Sequence, residues 1–262
     1  MELIQRYDQP GSSPAACAVP HALINETQLD RRSARVQHLP LFSRISSVDR
    51  REIVSVAHDK FFLRPQRIFG QGDPEKQVVL LTSGAVKITQ LGQDGTEVIL
   101  RLSGPGELVG EAGLGSVRTH RSTAWTLGTA GAFVWDAAVF KMLLRRFPIL
   151  HANVARMLGD HLRELEERFR EISTESVSMR LSHELVRLAN RVGERVNGAV
   201  RLSLSLEELA QLTGTTLFTV SRQLSRWRAE GIVSTGRRAV MVHDAQALAQ
   251  FCERDSDSSQ SR

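Results

Sequence analysis

Between Met179 and Val242 the chain carries ten arginines against five glutamates, with no lysine or aspartate. Guanidinium groups massed in one short stretch suit a polyanion, because they neutralise phosphates and release condensed counterions. A helix starting near Thr216 places Leu217, Val220 and Leu224 on one face. Thr219, Ser221, Arg222, Ser225 and Arg226 fall on its other faces, so its free surface is cationic and rich in donors.

The flanking segments must position that helix. Ser205-Leu206-Glu207-Glu208 is a capping box, in which the serine hydroxyl and the glutamate carboxylate satisfy each other's backbone amides. It opens a short helix with Leu206, Leu209, Ala210 and Leu212 apolar, and Thr213-Gly214-Thr215 turns the chain. A short helix, a glycine turn and a helix with exposed donors is the helix-turn-helix order. Gly231 to Thr235, the basic tip Gly236-Arg237-Arg238 and Ala239 to Val242 then read as a hairpin wing.

Upstream, short β-rich runs lie between Phe61 and Trp135: Val78–Leu81, Ala85–Ile88, Val98–Leu100, Ala124–Leu127 and Ala132–Trp135. Glycines separate them, and Asp94-Gly95 is a hairpin signal, so a small barrel or sandwich is expected. From Asp136 to Ile172 the period becomes helical, with Pro148 fitting the first turn of a new helix. Leu158, Leu162, Leu165, Phe169 and Ile172 are spaced 4-3-4-3, the seam of a dimer helix. The rest of that helix is charged: Arg163, Glu164, Glu166, Glu167, Arg168, Arg170 and Glu171. A charged helix between two domains has little intrachain surface to cover, which favours pairing with a second copy.

The predicted organisation is a flexible N-terminal arm at 1–36, a β domain at 37–145, a dimerisation helix at 146–172, a polar hinge at 173–178, a winged helix-turn-helix at 179–248 and a tail at 249–262. A second helix is expected over Met179–Val192, and Asn197-Gly198 turns into a strand at Val200–Ser203.

Composition bounds the function. Hydrophobic residues make up 41% of the 262 and aromatics only 5%, so aliphatic cores of soluble domains are expected. The net charge of +5 is compatible with a polyanionic partner. Cys17 and Cys252 lie near opposite ends without a Cys/His cluster, and read as free thiols in a reducing compartment. There is no basic-then-apolar leader and no apolar run of the roughly 18 residues a membrane span needs, so a cytoplasmic placement is expected. With no P-loop, Rossmann fingerprint or metal-ligand cluster, neither an enzyme nor a metal site is expected.

The order of β domain, long helix and winged helix-turn-helix resembles the Crp/Fnr superfamily of bacterial transcription regulators. Its residues span about 39 to 248: Leu39-Pro40-Leu41-Phe42, Gly72-Asp73-Pro74, Leu81 to Ile88, Gly110-Glu111 with Arg121-Ser122, and Thr219-Val220-Ser221-Arg222. The resemblance implies an α+β architecture: an N-terminal β-roll like a cyclic-nucleotide-binding domain, of jelly-roll type, then the dimerisation helix and the winged helix-turn-helix. It implies a homodimer on a near-palindromic DNA operator, with RNA polymerase as a further partner.

The resemblance also assigns an effector cassette. Arg121 would fork onto a cyclic phosphate, Ser122 would add a donor, Glu111 would accept from a ribose hydroxyl, and Gly110 would let backbone amides approach. Two departures stand out. Where cyclic-AMP receptors of the family offer a Thr-Ser pair to adenine, this chain has Leu165 and Glu166. Cyclic AMP, another nucleotide or no nucleotide all stay open. So does a haem-bound gas or redox sensor, with His151 and His161 as conceivable ligands on the long helix. Where relatives often carry a glutamate before the Thr-x-x-Arg segment, this chain has Phe218, whose ring would meet a thymine methyl or pack on the first helix. Arg222 matches the family's base-reading arginine, which can fork onto guanine. Thr216, Phe218, Thr219, Ser221, Arg222, Arg226 and Arg237 form the expected DNA-binding set.

Overall fold

The computed structural model describes residues 26–110 and 119–250. Cys17, Cys252, Glu111 and most of the expected arm and tail lie outside the described residues.

The fold begins with α1 (Glu26–Val36), a 3-10 turn (Pro40–Phe42) and α2 (Ser47–Ser55). Strands β1 (His58–Phe62), β2 (Arg67–Phe69), β3 (Gln77–Ser83), β4 (Val86–Leu91), β5 (Glu97–Ser103), β6 (Leu108–Val109), β7 (Thr123–Thr126) and β8 (Ala130–Asp136) follow. They build two four-stranded antiparallel sheets, ordered β1-β8-β3-β6 and β2-β7-β4-β5. The alternation of side chains explains the layering. Val79 and Leu81 of β3 enter the core between the sheets with Val86, Ile88 and Val134. Val78 and Leu80 point the other way, into a core shared with Phe133, Trp135 and the helices. Gly95 takes a left-handed φ of 82° in the β4–β5 turn, as the Asp94-Gly95 pair requires.

One expectation is corrected here. Residues 26–36, read as the end of a flexible arm, form α1. Its inward face is Leu29, Arg32, Ser33 and Val36, a helical spacing in which two members are polar. Arg32 is buried, donates to the Ala57 carbonyl at 2.6 Å and pairs with Asp59 at 2.9 Å. A face held by an arginine carries no hydrophobic period, which is why it reads as loop.

Helices α3 (Ala137–Arg146) and α4 (Pro148–Thr174) follow, with Pro148 in the first turn of α4. Asn153 of α4 donates to the carbonyls of Leu41 and Ser43, both at 2.8 Å, and so anchors the helix to the 3-10 turn. At 27 residues α4 is about 40 Å long. Only Glu175 and Ser176 separate it from α5 (Val177–Val192), so the expected hinge at 173–178 shrinks to two non-helical residues. Ser176 caps α5 by accepting from the Met179 amide.

The last unit holds β9 (Glu194–Val196), β10 (Ala199–Leu202), α6 (Leu206–Leu212), α7 (Leu217–Ala229), β11 (Val233–Gly236) and β12 (Ala239–Val242). Its sheet runs β11-β12-β10-β9. Asn197 and Gly198 both have positive φ in the β9–β10 turn. The capping box is present: Ser205 Oγ accepts from the Glu208 amide at 3.2 Å, and Glu208 accepts from the Ser205 amide at 2.8 Å. Leu185, Leu209, Val220, Leu224 and Trp227 form the core of this unit, joined by Ile99 and Leu102 of β5. The β domain and the last unit therefore share buried surface.

Candidate nucleic-acid interface and effector cassette

Helix α7 is fixed through Val220, Leu224 and Trp227, all essentially inaccessible. Leu217, expected on that apolar face, is 42% exposed because it occupies the first helical turn. Thr216 is the N-cap and accepts from the Thr219 amide at 3.2 Å. The Thr216 and Thr219 hydroxyls bond each other at 3.0 Å, and Thr219 is half-buried. Ser221, Arg222 and Arg226 are exposed, as is Arg237 at the wing tip. Phe218 is 73% exposed, which excludes packing on α6, and the Arg222 guanidinium lies 6.0 Å above its ring. Arg226 pairs with Glu230 at 3.5 Å.

Arg238, named in the basic tip, was left out of the expected DNA-binding set. It has a left-handed φ of 52°, which ends β11 tightly, and its Nη2 lies 3.5 Å from Glu208. A cleft of about 550 Å³ opens between the start of α6, the start of α7 and the wing, lined by Leu206, Glu207, Phe218, Ser221 and Arg238. A projecting cationic helix, an aromatic at its start and a basic hairpin beside it therefore converge on one surface.

In the β domain, β6 is followed at once by Gly110, whose φ is 95°. The positive φ favours glycine there, and an added Cβ would also press on the ring atoms of His120 at 3.3 Å and Phe69 at 3.4 Å. Phe69 and His120 stack with centroids 3.7 Å apart, and the stack brings Gly110 beside the residue preceding Arg121. The His120 amide donates to the Asp73 carbonyl, and its own carbonyl accepts from Gly72, both at 2.8 Å. Sequence reasoning missed Phe69 and His120. Arg121 is exposed and its carbonyl accepts from Gln90 at 3.2 Å, while Ser122 is half-buried and leads into β7.

The seam residues Leu158, Leu162, Leu165, Phe169 and Ile172 are all exposed on this chain, Phe169 at 74%. The charged residues behave differently from expectation, since α4 does have intrachain surface to cover: its charged side packs against α5. Arg187 grips Glu171 through two bonds of 2.6 and 2.8 Å and reaches Glu184 at 3.0 Å. Arg168 pairs with Glu184 at 2.6 Å, and Arg191 spans Glu164 at 2.6 Å and Glu107 at 2.9 Å. Burial disfavours the Arg187 charge, but Glu171 and Glu184 outweigh it and hold its pKa above the usual value.

Nor does His161 face outward. Its Nε2 lies 2.9 Å from Arg101 Nη1. Burial first, then Arg101 and Arg191, push the imidazole down to about 4, so the ring is neutral at pH 7 and accepts from Arg101. That lone pair is taken by Arg101, and His151 is exposed. Glu171, Glu175 and His183 bring ligand atoms within 4.8 Å of one another, a grouping the sequence did not show. Arg187 occupies Glu171 and Arg170 pairs with Glu175 at 3.0 Å, so arginines already neutralise both carboxylates. Among the described residues no helix is long and apolar enough to cross a membrane.

A two-sheet β domain, a long helix and a winged helix-turn-helix define the class of transcription regulators that couple an effector domain to a DNA-binding domain. Residues 59–147 match the family model of the cyclic nucleotide-binding domain, and residues 179–251 match that of the Crp-like helix-turn-helix domain. A CRP-like cAMP-activated global transcriptional regulator of Mycobacterium tuberculosis is 28% identical, covering 72% of this chain and 85% of the relative. A cyclic AMP receptor protein of Thermus thermophilus is 29% identical, covering 81% of this chain and 96% of the relative. The solved structure of a CRP-family transcriptional regulator from the same organism is 27% identical, with a TM-score of 0.63 over 74% of this chain and 96% of that one. Both domain matches and these relatives support the Crp/Fnr superfamily of bacterial transcription regulators.

Proposed function

We propose that the protein acts as a homodimer that reads a near-palindromic DNA site, gated by an anionic effector of cyclic-nucleotide type in the β domain. The observation that carries this reading is the surface of α7, where Phe218, Ser221, Arg222 and Arg226 project beside the Arg237 wing while Val220, Leu224 and Trp227 lock the helix beneath them. Two such helices, set about 34 Å apart by pairing along α4, would enter successive major-groove faces. Arg222 would fork onto a guanine, and Phe218 would contact a thymine methyl in place of an acceptor for cytosine.

The effector reading rests on the Gly110 corner against Phe69 and His120, with Arg121 exposed beside it. Arg121 and Ser122 would hold the cyclic phosphate. Leu165 and Glu166 are exposed and offer no threonine or serine hydroxyl to a base, so the affinity would come from phosphate and ribose. An effector acts only through tighter binding to the DNA-competent arrangement. RNA polymerase is the partner such a regulator would address in the cytoplasm.

DNA selection from a random library at fixed salt, with and without cyclic AMP and cyclic GMP, tests the whole scheme. R222A is expected to cost about 1–3 kcal/mol at one base position. A uniform loss across sequences would instead make Arg222 a phosphate contact. Calorimetry should show cyclic nucleotide binding that R121L abolishes; unchanged affinity in R121L sinks the cassette.

A further inference from the structure

One carboxylate sits where the β domain, the helix-turn-helix and the wing meet. Glu208 Oε2 accepts from the Ser205 amide, closing the capping box of α6. Its other oxygen, Oε1, lies between two cations: Lys87 Nζ at 2.9 Å and Arg238 Nη2 at 3.5 Å. Lys87 belongs to β4 of the effector domain, 121 residues away in sequence. The Lys87 and Glu208 side chains are 21% and 12% exposed, whereas Arg238 is 70% exposed at the wing tip.

We infer that Lys87 is a positioning residue for DNA binding: by holding Glu208, it leaves Arg238 available to a DNA phosphate. The inference rests on the reading that α7 and the wing bind DNA. Two cations share one anion here, so the trio carries a net positive charge on the surface that would face phosphate. Lys87 holds the carboxylate at hydrogen-bond distance, and the more exposed Arg238 holds it less closely. Without Lys87, Arg238 becomes the remaining cation on that oxygen, and the pair turns neutral. A phosphate would then have to displace Glu208 to reach Arg238.

Two further observations support the assignment. Burial raises the Glu208 pKa, but the Ser205 amide, Lys87 and Arg238 together outweigh it and hold the value below the ordinary carboxylate range, so Glu208 is ionised at neutral pH. The trio also lines an open cleft of about 400 Å³ with Glu97 and Trp125, so the ion pairs can exchange partners without repacking a core. The position of Lys87 makes it responsive to the cassette. It pairs across the sheet with Trp125 of β7, and β7 starts immediately after Arg121-Ser122. A shift of β7 on effector binding would move Lys87 relative to Glu208, and so change the charge offered at the wing.

The test is a double-mutant cycle on the full chain, read as affinity for one fixed mixed-sequence duplex over a salt titration. K87M is expected to weaken binding about five- to tenfold and to lower the salt slope by about one phosphate contact. E208Q keeps the cap, because glutamine also serves at this position of a capping box. It should bind at least as tightly as the wild type, and K87M in the E208Q background should change nothing further. K87R should restore the wild-type slope. Equal losses from K87M in both backgrounds would make Lys87 a direct phosphate contact and overturn the inference. So would an unchanged slope in K87M. If the wild-type protein does not bind the duplex at all, the DNA-binding reading itself falls, and the inference with it.

Discussion

Along the second half of α4, from Leu158 onward, the two faces invert the usual logic of an amphipathic helix. Ordinarily the apolar stripe is buried and the charged face meets water. Here Glu171 is 3% exposed and Glu164 is gripped by Arg191, while Phe169, two residues before Glu171, is 74% exposed. Within the chain, Leu150, Val154 and Met157 seat the first half of α4 in the β-domain core, whereas its second half is held by ions against α5 and the β domain with the apolar seam left uncovered. Ion pairs between α4 and α5 fix direction and register, because guanidinium and carboxylate forks match in only one alignment. The seam has no such directionality and suits a symmetric partner. One helix can thus carry intrachain geometry on one side and leave an apolar stripe open on the other.

The sharpest way to break this contrast is R187M. It leaves Glu171 and Glu184 buried with fewer cations, and should cost about 3–5 kcal/mol in urea unfolding. A loss below about 1 kcal/mol would mean that the ionic face is ornamental. On the other face, replacing Leu162 and Phe169 with alanine should weaken self-association about 100-fold, or about 2.7 kcal/mol, by sedimentation. The fold should stay intact, because neither side chain is buried in the monomer. If the wild-type protein is monomeric, or the double variant dimerises equally well, the seam has another use.

The next effect depends on pH. His161 is held at about 4 in the folded chain against an ordinary 6.5, so the unfolded chain binds the extra proton first as pH falls. Its contribution is fully present above pH 6.5 and is lost progressively on acidification towards pH 4. Between pH 6.5 and 5 the loss should be on the order of 2 kcal/mol. H161Q should flatten that part of the stability profile; an equally steep profile in H161Q would put the titration elsewhere. The smallest effect is expected at the α4–α5 junction. S176A removes the cap of α5 and should cost about 1 kcal/mol in thermal unfolding. A larger cost would mean that this two-residue joint, rather than the ion pairs, holds the two helices in register.

Patterns with local causes were legible. The capping box, the Asn197-Gly198 turn, Pro148 at a helix start and the alternation of β3 all come from interactions within a few residues of sequence. The site was legible to the same degree: Arg222, Ser221 and Phe218 are exposed because Val220 and Leu224 are the residues that must be buried. Helix α1 was not, because Arg32 takes a core position by pairing with Asp59, a residue no local pattern connects to it. His120 was missed for the same reason, since its partner Phe69 is remote in sequence.

By itself the sequence determined the order of elements, the cationic face of α7 and the apolar seam of α4, since periodicity and capping are set by neighbours along the chain. The tertiary structure alone decided which face of α4 is buried, where the neutral His161 sits, and that Lys87 meets Glu208 across 121 residues. Those are matters of charge pairing at low dielectric, whose strength depends on distance and burial, neither of which a linear pattern contains.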